Sequence, residues 1–299
     1  KGVVASSCLK LTVDITKTEN KFVFYYFVSQ AGQDQIKNLA YGSTRDTINL
    51  GPFSEIKLPL PSKFEQKQIA EILSSLDDKI DLNRQINASL EKLASTLFKK
   101  WFIDFGDEVR KNWETKSLDD IADFLNGLAL QKYPVENELE YLPVIKIREL
   151  KNGVTNATDK ASIKIPSKYI LQNGDIVFSW SGSLEVVIWC GGYGALNQHL
   201  FKVTSEKYPK WFFYQWIKYF LPIFQGIATD KAVTMGHIKR GHLSESRVFV
   251  PDDQSLLKMD ELMAPIIDTV ISNSIEIQNI IQIRDSLLPR YDNRASGMR

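Results

Sequence analysis

Two turns in this chain gather the side chains that hold phosphate. The segment TDKAVTMGHIKRGH, residues 229–242, sets Lys231, Thr234, His237, Lys239 and Arg240 against the single acid Asp230. GSTRDTIN, residues 42–49, offers Ser43, Thr44, Arg45, Thr47 and Asn49. Hydroxyls and cations grouped this way grip phosphate oxygens, while Arg, Asn and Gln read base edges. SWSGS, with Trp180, Ser181 and Ser183, and LNQH, with Asn197 and Gln198, are further candidates of the same kind. Taken singly, each is more often an ordinary surface turn. Their recurrence at two places in one chain points to duplex DNA, which suits a reader with two heads on a rigid spacer.

Catalytic machinery is sparse. CGGYGALN lacks the GxGxxG spacing of a dinucleotide site, and GxxxxGK[ST] does not occur. No two prolines are adjacent, which removes the Asn-Pro-Pro-aromatic motif of adenine methyltransferases. His199, His237 and His242 have neither metal-ligand nor triad spacing with Cys or carboxylates. Asp77, Asp78 and Asp81 sit on a helical surface and read as a solvated face.

The elements that must position these turns repeat. Sliding the chain against itself by 190 positions brings Gly2 onto Gly192, Val13 onto Val203, Phe22 onto Phe212, Gln35 onto Gln225 and Thr44 onto Thr234. Ile48 falls on Ile238, Gly51 on Gly241, Pro61 on Pro251 and Asn83 on Asn273. Residues 112–299 read as one full unit, a globular part followed by a helical part. Residues 1–111 match only the second half of a unit, so about 80 residues of the first unit are expected to have no counterpart here.

Ile69, Leu73, Leu76, Ile80, Asn83, Asn87, Leu90, Ala94, Leu97 and Trp101 alternate spacings of four and three, a heptad seam that predicts a coiled coil. At ~1.5 Å per residue that helix would run roughly 55 Å. It cannot bury its seam alone, and Met259, Met263, Ile266, Val270, Asn273, Ile277, Ile280 and Leu287 supply an equivalent seam. Pseudo-twofold symmetry is satisfied by an antiparallel pair, with Asn83 and Asn273 expected on facing seams. In the globular part, Ser117 with Asp120 predicts a helix start. YLPVIKI, DIVFSW, EVVIWCGG, HLFKVT and RVFVP predict strands, SGSL turns the second into the third, and Pro209 opens the aromatic helix KWFFYQWIKYFL. That helix has too many aromatic residues for one buried stripe, and most are read as core rather than as a base-stacking platform.

The fold class is therefore α+β: a pseudo-twofold repeat of mixed α/β recognition domains joined by long helices that form an antiparallel coiled coil. The expected boundaries are the second half of a first recognition domain at 1–63, a central spacer helix at 64–105, a second recognition domain at 106–251, a C-terminal spacer helix at 252–290 and a tail at 291–299. With 43% apolar residues the chain can bury substantial cores, and no apolar run reaches the ~18 residues that span a bilayer, so the expected location is the cytoplasm. Cys8 and Cys190 are too few for a disulfide framework and read as buried thiols. The net charge is +1, unevenly spread. Residues 1–64 carry 8 basic and 5 acidic side chains and residues 112–250 carry 16 and 14, whereas 65–111 carry 8 and 9 and 251–299 carry 5 and 8. An anionic partner would meet the globular parts.

On these residues the chain resembles the specificity subunits of type I restriction-modification systems. The match is carried by IKLPLPSKFEQKQIAEILSSLDDKIDLNRQINASLEKLASTLFKKWFIDF, which is similar to that family's central spacer, and by GDIVFSWSG, LNQHLFKV and GSTRDTINLGPFSEIKLPLP, which resemble parts of its target recognition domains. The resemblance implies a noncatalytic subunit that reads a bipartite double-stranded DNA target and docks modification subunits, with a restriction subunit joining them. It implies no cofactor on this chain; S-adenosylmethionine, ATP and Mg would belong to the partners. A half-length first domain puts recognition of one half-site in doubt and makes self-association of the chain an expectation to test. Two other readings are weighed beside it: the recognition part of a fused methyltransferase and nuclease, and a coiled-coil interaction scaffold with inert turns.

Overall fold

A computed structural model describes residues 8–40, 47–104, 113–230 and 236–295. Its helices and strands in chain order begin with α1 (Asn20–Val28), α2 (Gln30–Leu39), α3 (Leu50–Ser54) and α4 (Lys63–Phe98). The mixed region follows with β1 (Glu114–Ser117), α5 (Leu118–Ile121), β2 (Asp123–Asn126), β3 (Tyr141–Ile145), α6 (Ile147–Asn152), β4 (Lys160–Ser162), β5 (Ile170–Leu171), β6 (Asp175–Ser179), β7 (Val186–Trp189), β8 (Gly194–Leu196) and β9 (Leu200–Thr204). The chain continues through α7 (Lys210–Asp230), α8 (Arg240–Glu245), β10 (Arg247–Val250) and α9 (Asp253–Ala295). The chain divides into two compact units: Lys1–Asn83 with Ile277–Arg299, and Arg84–Glu276.

The repeat read from the sequence is visible in the helix starts. α1, α3 and α4 begin at residues 20, 50 and 63, and α7, α8 and α9 begin at 210, 240 and 253, each at the same offset.

In the smaller unit α1 lies on the long helices. Phe22 and Val23 are buried with Ala70, and Tyr25 with Leu73 and Leu288. Tyr25 Oη donates to Asp77 Oδ2 at 2.7 Å, and Arg284 Nη1 donates to Asp77 Oδ1 at 2.8 Å. Asp77, read from sequence as part of a solvated face, is thus half-buried and paired. Burial and the Asp77 carboxylate push the Tyr25 phenol upward. Ile80 packs with Ile277 and Ile280. As residue numbers fall along α4 from Ile80 to Leu73, those of their neighbours on α9 rise from Ile277 to Leu288, so the helices run antiparallel here.

The larger unit holds another stretch of the helix pair, and its polar layer corrects one expectation. Asn273 Nδ2 donates to Asn87 Oδ1 at 2.9 Å, and Asn87 Nδ2 donates to Ser274 Oγ at 3.0 Å and to the Val270 carbonyl at 3.2 Å. The partner of Asn273 is therefore Asn87, one turn beyond Asn83, which is itself buried. Heptad spacing places both asparagines on the seam but does not fix the stagger of an antiparallel partner. Replacing Asn87 and Asn273 together by Leu is expected to leave the thermal midpoint unchanged or raised, because an apolar layer replaces a buried polar one, while the register loosens and mixed oligomers appear in light scattering. A single species of unchanged mass would remove the register role.

The mixed part of the larger unit is built on two four-stranded sheets, ordered β2-β9-β6-β7 and β4-β3-β8-β5, with β1 and β10 pairing to tie its two ends together. The first sheet is antiparallel throughout. In the second, β3 and β8 are parallel and the outer pairs antiparallel. β6 reads as continuously apolar because both its faces are covered. Ile176 and Phe178 enter the main core, and Val177, on the opposite face, joins Ile145, Leu171, Trp189, Leu196 and Leu200.

α7 explains the aromatic excess. Trp211, Phe212, Phe213, Tyr214, Trp216 and Phe220 are all buried, as the core reading expected, because the helix is enclosed on several sides rather than along one stripe. Phe178 of β6, Phe249 of β10 and the aromatic end of α4 all meet it. Lys99–Ile103 continue α4 as a π-turn that carries Phe102 into this core. The Trp211 indole donates to Asp260 Oδ1 at 2.7 Å, fixing α7 to α9. The strands expected from DIVFSW, EVVIWCGG, HLFKVT, YLPVIKI and RVFVP are all present, and Ser117 N–H donates to Asp120 Oδ2 at the start of α5.

Candidate functional site

The candidate residues of the larger unit converge on the end of the first sheet. The tip of the hairpin between β6 and β7 carries Trp180, Ser181 and Ser183. Residues 236–238 run beside it: Ile238 N–H donates to the Trp180 carbonyl at 3.0 Å, Gly182 N–H to the Gly236 carbonyl at 2.8 Å, and Ser181 bridges His237. The loop entering β9 supplies Asn197, Gln198 and His199, and Trp180 N–H donates to the His199 carbonyl at 3.3 Å. Trp180 sits between His199 and His237, with ring centroids at 5.9 and 6.3 Å.

Within this group the side chains divide by what they already bind. The Trp180 indole N–H is occupied by Asn126 Oδ1 at 2.9 Å and the Gln198 carbonyl at 3.2 Å, so Trp180 acts as a brace. Ser181 is buried, with its hydroxyl 2.9 Å from His199 Nδ1. Asn197 is buried too, and its Oδ1 accepts from His199 N–H at 3.2 Å, closing the turn. Ser183 Oγ accepts from Lys151 Nζ at 2.9 Å on the surface. His237, Lys239 and Arg240 are exposed. Arg240 Nη2 donates to the Phe124 carbonyl at 3.1 Å, and its guanidinium lies 5.6 Å from the Phe201 ring centroid. Lys239 N–H donates to His242 Nδ1 at 3.2 Å, which leaves the ammonium at the surface. Thr47 is exposed in the smaller unit. Ser43, Thr44, Arg45, Lys231 and Thr234 lie outside the described residues.

Sequence reasoning missed a neighbouring cleft. A cavity of about 550 Å³ opens where the loop Asn197–His199 faces Leu130 and Gln131, Val144 and Lys146, and Asp159 and Lys160. Its wall is fixed by the buried carboxylate of Glu149, which accepts from Lys146 N–H at 3.2 Å, Thr158 Oγ1 at 3.2 Å and Arg148 Nε at 2.9 Å. At the rim Lys146 pairs with Asp159, and that hydrogen bond holds the Asp159 carboxyl below the usual carboxylate range. Lys160 Nζ stands 4.0 Å from the centroid of the Tyr141 ring. Chemically, the cleft presents amides and cations around a small apolar floor, with its one rim acid matched by a lysine. Such a lining is chemically suited to a polar, hydrogen-bonding or anionic ligand.

Comparison with known proteins places the chain as a whole. Residues 1–92 and 110–287 match the family model described as the type I restriction modification DNA specificity domain. The chain belongs to that family. It is 27% identical over 295 residues to the type I restriction enzyme MjaIX specificity subunit of Methanocaldococcus jannaschii, covering 91% of this chain and 68% of that one. It is 24% identical over 353 residues to the HindI specificity subunit of Haemophilus influenzae, covering 91% and 76%. The solved S subunit of a type I restriction-modification system from M. genitalium shares the fold, with a TM-score of 0.57 at 19% identity over 92% of this chain and 73% of that one. The fold class expected from sequence, with long helices and mixed recognition domains, is that of the family. No described helix is long and apolar enough to cross a membrane. As a specificity subunit the chain recognises DNA and does no chemistry on it.

Proposed function

We propose that this chain reads one part of a split DNA target with its larger unit and docks modification subunits through its long helices. The observation that supports this reading is the division of one surface into two chemistries. The exposed cations of Lys239 and Arg240 and the imidazole of His237 suit backbone phosphates, and the amides beside them suit base edges. S-adenosylmethionine, ATP and Mg would then be held by partner subunits, in the cytoplasm, with a restriction subunit supplying cleavage.

The test mixes the full chain with type I modification subunits and a library of duplexes carrying split sites. Enrichment of the half-site read by the larger unit, alone or as one part of a two-part sequence, is the expected result. A complex that binds every duplex alike, or no complex at all, would return the chain to the interaction-scaffold reading. Lys239→Ala is expected to weaken binding to all sequences and to lower the slope of log K against log salt by about 1, as loss of one phosphate contact should. Arg240→Ala is expected to do the same and also to reduce stability by about 1 kcal/mol, because it removes the hydrogen bond to Phe124.

A further inference from the structure

We infer that the cleft bounded by Gln131, Lys146, Lys160 and Gln198 is the part of the larger unit that reads base-pair edges, with Gln198, Gln131 and Lys160 setting which bases are preferred. This rests on the proposed DNA-reading function and assigns that function's sequence-reading step to residues apart from the Lys239 and Arg240 face.

Three observations carry it. First, the Oε1 atom of Gln198 is buried without a hydrogen-bond partner among the described residues. A buried acceptor left unpaired is unfavourable, so a ligand that brings a donor gains by meeting it. The terminal torsion of a glutamine is broad, so its amide turns toward the cleft at small cost. The exocyclic amines of adenine and cytosine are such donors at the major-groove edge, and a glutamine amide meets adenine with both of its ends.

Second, Gln131 and Lys160 are exposed members of the cleft lining, and of its two lysines Lys146 is paired with Asp159 whereas Lys160 has no carboxylate partner among the described residues. Lysine and glutamine together cover guanine acceptors and adenine edges. Third, the frame is stiff. Glu149 anchors the Lys146 wall, and β3 pairs with both β4 and β8, so the reading groups are presented from fixed backbone. By contrast, the indole N–H of Trp180 and the Oδ1 of Asn197, which the sequence put forward as readers, are already engaged by Asn126 and by the His199 N–H.

The experiment uses the complete complex of this chain with modification subunits. Site libraries are selected in parallel with the parent chain and with Gln198→Ala, Gln198→Glu, Gln131→Ala, Lys160→Ala and Lys239→Ala. Gln198→Ala is expected to relax preference at one base-pair position by about 10-fold or more, the discrimination one good base contact gives. Gln198→Glu, an acceptor only, is expected to move that position toward cytosine. Gln131→Ala and Lys160→Ala are expected to relax other positions, and Lys239→Ala to lower recovery without altering the enriched sequence. If the cleft variants fold, as judged by thermal melts, and enrich the parent site with unchanged weights at every position, the assignment of base reading to the cleft is overturned. If the parent complex itself enriches no sequence, the DNA-reading function fails instead.

Discussion

Glu149→Ala is expected to cost the larger unit about 3 kcal/mol. The carboxylate is 1% exposed and accepts from a backbone N–H, a threonine hydroxyl and an arginine. Hydrogen bonds to a charged acceptor contribute about 1.5–3 kcal/mol each, and the Lys146 N–H and Thr158 hydroxyl would be left facing an apolar methyl. Arg148 is half exposed and recovers water, so its share of the loss is small. For a unit of this size the change corresponds to a fall of about 6–12 °C in thermal midpoint, read by circular dichroism on the full chain. Limited proteolysis between residues 146 and 160 should accelerate as the wall loosens. Glu149→Gln keeps one acceptor and is expected to lose about half as much. An alanine variant with the parent's midpoint and protease pattern would show that α6 is held by something other than this network.

Phe102→Ala is expected to be more damaging, at about 3–5 kcal/mol. Phe102 is 0% exposed and has Phe98, Trp113, Phe212 and Trp216 with ring centroids between 5.0 and 5.6 Å. Because these rings belong to several elements, the space left by deletion cannot close by moving one of them, and the cavity term adds to the lost transfer energy. Phe102→Leu retains most of the volume and is expected to cost about 1–2 kcal/mol. Chemical denaturation followed by tryptophan emission measures both, since Trp113, Trp211 and Trp216 lie within this cluster. Equal stability of the alanine variant and the parent would mean that the π-turn does not fasten the recognition domain to its helix.

The sequence made some of this legible and hid the rest for physical reasons. The long helices were readable because a seam repeated over ten positions leaves little freedom, and the central strands because an apolar run bounded by turn residues has few other uses. The stagger between Asn87 and Asn273 was hidden, since spacing along one helix carries no information about its neighbour's offset. β4, β5 and β8 have two or three residues each, too few to show a period of two. The cleft was hidden for a related reason. Lys160 and Gln198 are brought together by the order β4-β3-β8-β5, in which β3 and β8 are far apart in sequence yet parallel neighbours, and Gln131 joins them through the bridge of Leu128 to Asn197. The residue type of Trp180 fits both a reader and a brace, and spacing along the chain could not show that its indole N–H is occupied.

The main-chain anchoring of the loop Asn197–His199 has a consequence for how such a protein changes its target over time. Gly127 approaches this loop so closely that an added Cβ would lie 2.2 Å from the Asn197 carbonyl oxygen. Leu128 N–H donates to the Leu196 carbonyl at 2.9 Å, Gly127 N–H to the Leu200 carbonyl at 3.0 Å, and Asn197 N–H to the Ile145 carbonyl at 3.2 Å. Backbone bonds of this kind are indifferent to the side chains on the loop. Mutation can therefore exchange the groups that Gln131, Lys160 and Gln198 present without disturbing the path of the chain, whereas a change at Gly127 shifts every one of those backbone bonds. On the proposed reading, tolerance is concentrated at the rim and constraint in the backbone beneath it, so new binding preferences would be reachable by single steps that leave the domain folded at each stage.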